Sequence, residues 1–214
     1  ARDLGRSSQG KARDAASPGL SAKAGFRSRS FIQLALAGYL ATAAGTAILV
    51  HFIPIVTSVG LDRQSAASAA SAFGVMTLIG RVLTGILLDR VDGRWIGALA
   101  FGLPVFAPVI LLGYDGSLFW AAVSAGLIGL AIGAEIDVLA FLSARYFGLR
   151  NYGLLWGTIV GLIALGSGSG PFAAGLIYDL TRGYQPLFLV VIPGLLLGAL
   201  LLITLPRNPE YSAG

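Results

Sequence analysis

The stretch GRVLTGILLDRVDGRW, Gly80–Trp95, is almost wholly apolar at its start and densely charged at its end. The charges near its end fall at Asp89, Arg90, Asp92 and Arg94. Arg81 is the exception in the apolar part, eight residues before the first of these charges. A hydrophobic run that stops at a charged turn predicts a helix that leaves a lipid bilayer near residue 88, followed by a second helix that re-enters it.

The composition of the whole chain also indicates a membrane protein. The 214 residues are 56% hydrophobic and 12% charged, with a mean hydropathy of +0.80, whereas soluble domains carry about 25% charged residues. So few polar residues cannot cover so apolar a core in water, and lipid is the expected solvent. The net charge of +5 is concentrated in certain loops, and it therefore indicates membrane orientation rather than nucleic-acid binding.

Cysteine and histidine usage narrows the chemistry. The chain has no cysteine and a single histidine, His51. Disulfides, thiolate catalysis and cysteine metal sites are therefore excluded, and a histidine metal site or a Ser/His/Asp triad is not expected. We predict a protein that is not an enzyme, with no catalytic residue, no metal and no cofactor. His51 itself is expected to be an interfacial residue.

Six apolar segments predict an all-α membrane protein with six transmembrane helices. They cover 31–55, 66–88, 95–113, 118–141, 153–178 and 186–205. Each is close to the ~20 residues that cross a hydrocarbon core, and helices satisfy their own backbone hydrogen bonds inside lipid. The predicted domains are a disordered cytoplasmic linker at 1–30, a six-helix domain at 31–205 and a cytoplasmic tail at 206–214.

The distribution of lysine and arginine predicts the orientation. With six spans, most basic residues outside the spans fall on one side, and only Arg63 and Arg182 fall on the other. Because basic loops stay cytoplasmic, both termini are expected in the cytoplasm. The predicted location is a multi-pass position in the plasma (inner) membrane.

Three ionisable residues lie within the predicted spans: Arg81, Glu135 and Asp137. Each costs about 2.5–3.5 kcal/mol at the centre of a span, so such residues usually face a bundle interior or water. Arg81 and Glu135 fall at a similar depth, which allows them to pair or to share a ligand. Asp137 is expected to meet a neighbouring helix or Arg145. The alternatives are that Arg81 snorkels to the headgroups and that Glu135 makes a structural hydrogen bond.

Tyr39, Thr42 and Thr46 form a weak polar face on the first span. They are expected either to line a cavity or to bond across helices. In a cavity, Tyr39 is a candidate for binding a substrate.

The thirty glycines favour close helix packing, because small residues let membrane helices approach each other. The run GSGSGPFAAG, 166–175, also contains Pro171, which removes a backbone hydrogen bond. Gly166, Gly170 and Pro171 are therefore expected either to pack tightly or to let the helix bend during a conformational cycle.

The charged turn resembles the loop signature of the major facilitator superfamily, G-x-x-x-D-R-x-G-R. The matching residues are Gly85, Asp89, Arg90, Gly93 and Arg94, with Asp92 inserted before the last two. The stretches GAEIDVLAFLSARYFGLRNYG, 133–153, and GSGSGPFAAGLIYD, 166–179, are similar to the second half of the monocarboxylate and oxalate/formate porter branch. The resemblance extends over residues 31–205.

This resemblance implies that the chain is the C-terminal six-helix half of a twelve-helix carrier, and that its partner is a missing N-terminal half. The alternative is that two copies of this chain pair. Arg81 matches an arginine that binds the substrate carboxylate in this branch. Some carboxylate porters have a proton-coupling aspartate one turn earlier, where this chain has Thr77. Glu135 is therefore the favoured proton-coupling candidate, and Asp137 is the other.

The implied function is secondary active transport of a small organic anion, a monocarboxylate, by alternating access. Protons are a candidate co-substrate, and symport and antiport both remain open. Asp89 resembles a residue that locks the cytoplasmic gate against the other half, and the remaining motif residues form its loop. The alternative is a non-transporting membrane scaffold or sensor on the same fold.

Overall fold

Six helical spans form one bundle in the computed structural model, which describes residues 18–207. The helices are α1 (Ala22–Arg27), α2 (Arg29–Thr57), α3 (Arg63–Leu88), α4 (Gly93–Gly102), α5 (Phe106–Leu112), α6 (Leu118–Phe147), α7 (Tyr152–Thr181) and α8 (Gln185–Ile203). A 3-10 turn, Leu103–Val105, joins α4 to α5, so that together they make one span. The described residues contain no strand. The prediction of an all-α protein with six membrane-spanning helices is confirmed.

The spans begin at residues that satisfy the free N–H groups of a helix terminus. The Ser28 hydroxyl accepts a hydrogen bond from the Phe31 N–H at the start of α2. Asp62 and Asp92 cap α3 and α4 in the same way with their carboxylates. Hydropathy marks only the apolar part of a helix, so α6 runs to Phe147, six residues beyond its predicted end.

Residues 18–30 are ordered, which differs from the disordered linker predicted for 1–30. They contain α1, and they pair with the turn between α6 and α7. Leu20 N–H donates to the Phe147 carbonyl at 2.9 Å, and Leu149 N–H donates to the Pro18 carbonyl at 2.9 Å. Local periodicity does not reveal this order because the partners lie more than a hundred residues away in the chain. Residues 1–17 and the tail at 208–214 lie outside the described residues.

Glycines bring two pairs of helices into backbone contact. A Cβ added at Gly170 would collide with the Ala43 carbonyl, and one at Gly166 would lie 2.8 Å from the Tyr39 carbonyl oxygen, so α7 packs directly on α2. A Cβ at Gly129 would lie 2.5 Å from the Phe73 carbonyl oxygen, so α6 packs as closely on α3. Gly166 and Gly170 therefore serve close packing, whereas bending of α7 stays a prediction.

The helices differ in how much of their apolar surface the bundle covers. Only 17% of the most apolar stretch of α3 and 28% of that of α7 is buried, against 56% of that of α6. Most of α3 and α7 therefore faces outward. The central helices α2 and α6 bring polar side chains into contact with these two outer ones, and that arrangement builds the site.

Candidate functional site

Arg81 on α3 and Asp137 on α6 form an ion pair across two spans. The Arg81 Nε lies 3.2 Å from the Asp137 Oδ2, and the two side chains are 62% and 34% exposed. The pairing of Arg81 with Glu135 that depth suggested is therefore wrong: Arg81 meets Asp137. No described residue accepts a hydrogen bond from the Nη atoms of Arg81, so the outer fork of this guanidinium is free to bind a planar anion.

Backbone contact between α3 and α6 sets the geometry of this pair. A Cβ at Gly133 would collide with the Thr77 carbonyl oxygen and would lie 3.0 Å from the Arg81 backbone nitrogen. A Cβ at Gly80 would likewise collide with the Leu130 carbonyl. Asp137 lies one helical turn beyond Gly133, so this close approach brings its carboxylate within reach of Arg81.

Glu135 lies in the bundle interior, away from Arg81. Its side chain is 6% exposed and accepts a hydrogen bond from the Thr42 hydroxyl of α2. It also lines a cavity of about 10 Å³, which is close to the smallest space that holds one water molecule. The other lining residues are apolar, Phe101, Pro104 and Ile128 among them. This interior space is too small for an organic substrate.

Tyr39 is half-buried and bonds across helices, as one of the two sequence interpretations expected. Its hydroxyl lies 3.1 Å from the Ser169 hydroxyl of α7. Thr42, one turn further along α2, turns toward Glu135, while the Thr46 hydroxyl donates to its own helix at the Thr42 carbonyl. The polar face thus divides between α7 and α6, and sequence reasoning missed the role of Ser169 because a serine in a glycine run carries no distinct signal.

The charged turn centres on Asp92, which the loop signature treats as an insertion. Its carboxylate caps α4, accepts hydrogen bonds from the Arg94 guanidinium at 3.1–3.4 Å, and lies 3.5 Å from Arg145 at the end of α6. Arg94 also donates to the Leu205 carbonyl after α8. Partial burial raises the pKa of Asp92, but the hydrogen bonds and charge of Arg94 and the charge of Arg145 outweigh it, so the pKa lies below its ordinary value.

The predicted gate residues separate into two groups. Gly93 is buried, and a Cβ there would lie 2.9 Å from the Phe141 ring; Arg94 is bonded within the bundle. Gly85, Asp89 and Arg90 are exposed. The side chains of Asp89 and Arg90 have no hydrogen-bond or ion-pair partner among residues 18–207. Only the exposed group is available to an external partner.

At the opposite end, His51 links three helical segments. Its Nε2 lies 3.2 Å from the Pro171 carbonyl of α7, and its Nδ1 lies 3.1 Å from the Tyr184 hydroxyl before α8. Pro171 stands inside a continuous helix. The imidazole therefore supports the segment where the proline weakens the backbone ladder, a contact that no local signal reveals. No cluster of metal-ligating side chains occurs in the part of the chain that the structure describes.

Comparison with known proteins agrees with this architecture. A family model described as Major Facilitator Superfamily matches residues 34–214. Similar proteins include monocarboxylate transporter 9 of Gallus gallus, 28% identical over 137 residues that are 62% of this chain and 26% of that protein. Monocarboxylate transporter 7 of Homo sapiens is 26% identical over 182 residues, which are 82% of this chain and 34% of that protein.

The chain thus spans about a quarter to a third of the length of these relatives. The family match, in contrast, covers almost all of the six-helix bundle. By this match and this bundle, the chain belongs to the Major Facilitator Superfamily, a family of integral membrane transporters.

Proposed function

We propose that the protein containing this chain is a secondary active transporter of a small organic anion, a monocarboxylate, that works by alternating access. The observation that carries the proposal is the exposed Arg81–Asp137 pair, in which the guanidinium Nη atoms have no partner among residues 18–207. Arginine binds carboxylates through two parallel hydrogen bonds. The names of the two relatives, both monocarboxylate transporters, support the same substrate class.

The pair also suggests how an anion is coupled to a proton. A substrate carboxylate and the Asp137 carboxylate compete for one guanidinium, and two anions at one cation repel each other. A proton on Asp137 removes that competition and leaves the fork to the substrate. Anion and proton then bind together and leave together, which is the behaviour of a symporter.

Glu135 is the second proton-coupling candidate. It is buried, its one hydrogen-bond donor among the described residues is the neutral Thr42 hydroxyl, and no described cation contacts it. A buried carboxyl without a cation is costly to keep charged. Glu135 does not contact the Arg81 guanidinium, so Asp137 is the more direct coupling residue. Tyr39, whose hydroxyl lies beside that of Ser169, is a second candidate contact for the substrate.

The remaining parts of the proposal concern the whole carrier. Both termini lie on the cytoplasmic side of the plasma (inner) membrane, as the basic loops favour. Asp89 and Arg90 project from the cytoplasmic end of α3 without partners in residues 18–207, and they latch onto an N-terminal six-helix half in the inward-closed state. The outward faces of α3 and α7 meet that same half.

Uptake by proteoliposomes tests the proposal. The intact protein is reconstituted and supplied with radiolabelled lactate, pyruvate, formate or oxalate, and Arg81→Ala is compared with Arg63→Ala, an exposed arginine at the opposite end. We expect saturable uptake of one acid that Arg81→Ala abolishes and Arg63→Ala preserves. Absence of uptake of every acid would favour the scaffold or sensor, and full uptake by Arg81→Ala would refute the assigned site.

A further inference from the structure

The end of the bundle where α2 begins carries a large excess of positive charge. Among residues 18–207, eight basic and two acidic residues lie at this end, a net charge of +6, whereas the opposite end has two basic and three acidic residues, a net charge of −1. One of the two acidic residues, Asp92, is already bound to Arg94 and Arg145. The bundle therefore does not neutralise this end by itself.

Four of these basic residues lie in or next to α1. We call them the basic corner: Lys23, Arg27, Arg29 and Arg150. All four are exposed, and none has an acidic partner among the described residues. Lys23 and Arg27 are four residues apart on α1 and so share one face of the helix. Arg150 lies in the turn between α6 and α7, which pairs with residues 18–20.

The structure holds α1 at the rim of the bundle instead of extending α2. Ser21 caps α1 and Ser28 caps α2, so the chain turns between the two helices. Gly25 faces α7 so closely that a Cβ would lie 2.5 Å from the Leu155 Cδ1. The Asn151 side chain donates to the Leu20 carbonyl at 2.8 Å. The basic corner is therefore pre-organised, and binding there requires little ordering of the chain.

Exposed apolar side chains accompany these charges. Phe26 is 37% exposed and stacks edge-on against Phe31 with ring centroids 5.0 Å apart, and Leu149 is 66% exposed. Basic residues beside apolar ones at the end of a membrane span match the interface of a bilayer, where the charges meet headgroups and the apolar groups enter the acyl region.

We propose that the basic corner binds the headgroups of anionic phospholipids in the adjacent leaflet, with Phe26 and Leu149 inserted beside them. The phosphates of the lipid headgroups pair with these basic side chains and neutralise the excess positive charge that no described residue balances. The assignment of this leaflet to the cytoplasmic side rests on the proposed orientation; the lipid contact itself does not.

Native mass spectrometry of the intact protein in mild detergent measures this contact with phosphatidylglycerol as the probe and phosphatidylcholine as the reference. A basic residue near an anionic surface contributes about fivefold in affinity. The double variant Lys23→Gln/Arg27→Gln should therefore weaken phosphatidylglycerol binding roughly 25-fold. The matched control Arg63→Gln/Arg182→Gln removes two charges at the opposite end and should leave the affinity unchanged.

A charge-preserving swap, Lys23→Arg/Arg27→Lys, separates charge from packing and should bind phosphatidylglycerol like the natural protein. Equal phosphatidylglycerol affinity in the natural protein and the Gln double variant would overturn the proposal. A loss of affinity in the charge-preserving swap as large as that in the Gln double variant would also overturn it. Equal affinity for phosphatidylcholine, or full competition by soluble glycerol phosphate, would do the same.

The orientation has its own readout. A membrane-impermeant amine reagent should leave Lys23 unlabelled in intact cells, and labelling from outside would overturn the cytoplasmic assignment alone. A failure of Arg81→Ala to change uptake leaves the phosphatidylglycerol measurement unaffected, because Arg81 lies inside α3 and away from the basic corner.

Discussion

Replacing Gly133 by alanine is expected to separate α3 from α6 and to loosen the contact between Arg81 and Asp137. The added Cβ would collide with the Thr77 carbonyl oxygen and would lie 2.9 Å from its carbonyl carbon and 3.0 Å from the Arg81 nitrogen. All of these are backbone atoms, which cannot rotate away. Since such contacts need about 3.5 Å or more, and the contact with the Thr77 carbonyl oxygen is the shortest of them, the helices must move apart by roughly 1–1.5 Å.

That movement has a calculable effect on the pair. Lengthening the 3.2 Å separation of Arg81 Nε and Asp137 Oδ2 by this amount takes it to about 4.5 Å, beyond hydrogen-bond range. Overpacking of this kind costs about 1–3 kcal/mol of unfolding free energy. Both a loss of stability and a rise in the KM for uptake are therefore expected, because the fork no longer stands in its natural position.

Denaturant unfolding of the purified protein and the KM for its transported acid measure the two effects. Gly126→Ala is the matched control on the same helix, because a Cβ there meets only the flexible Met76 side chain, at 3.3 Å from its Cγ. We expect this control to cost less than about 1 kcal/mol. Equal stability and equal KM in Gly133→Ala and Gly126→Ala would refute the claim that backbone contact at Gly133 positions the pair.

Three further changes test the neighbouring contacts. Asp137→Asn removes the competing charge permanently, so uptake should lose its dependence on an imposed proton gradient while exchange of internal and external acid continues; retained dependence would point to another coupling group. Thr42→Val removes the hydroxyl that donates to Glu135 and should destabilise the protein by about 1–3 kcal/mol, whereas Thr46→Val, which breaks only a bond to its own helix, should cost less. The lowered pKa of Asp92 means that its contribution to stability is complete above its unfolded pKa and is lost as the pH falls through the folded one. The melting temperature should therefore fall in this acid range, and Asp92→Asn should show a smaller fall; identical profiles would contradict the assigned network.

The sequence pointed to the residues that are unusual in lipid but not to the partners that the structure gives them. Arg81, Glu135 and Asp137 stand out because charge inside an apolar segment is costly. Depth along the span suggested pairing Arg81 with Glu135, but the direction of each side chain around its helix axis also decides which residues meet. Side chains two positions apart on a helix point about 200° apart. Asp137 therefore reaches α3, while Glu135 points toward Thr42.

Asp92 shows the same limit in a loop. In the sequence it interrupts a signature and shifts Gly93 and Arg94 by one position. In the structure it caps α4 and joins Arg94 to Arg145, whose positions along the chain are far apart. An aspartate before a helix start is a recognisable capping signal, but the convergence of the start of α4 and the end of α6 on it is not.

The sequence by itself determined that this is a membrane protein with six helical spans, because burial of apolar segments in lipid depends on length and composition and needs no partner. It also located the ionisable residues within the spans, Arg81, Glu135 and Asp137. Only the tertiary structure decided that Asp137 pairs with Arg81, that the Thr42 hydroxyl donates to Glu135 and that α1 is held beside the α6–α7 turn. These contacts depend on helix rotation and on backbone approach at particular glycines, and both are settled by packing between distant segments and by no local pattern.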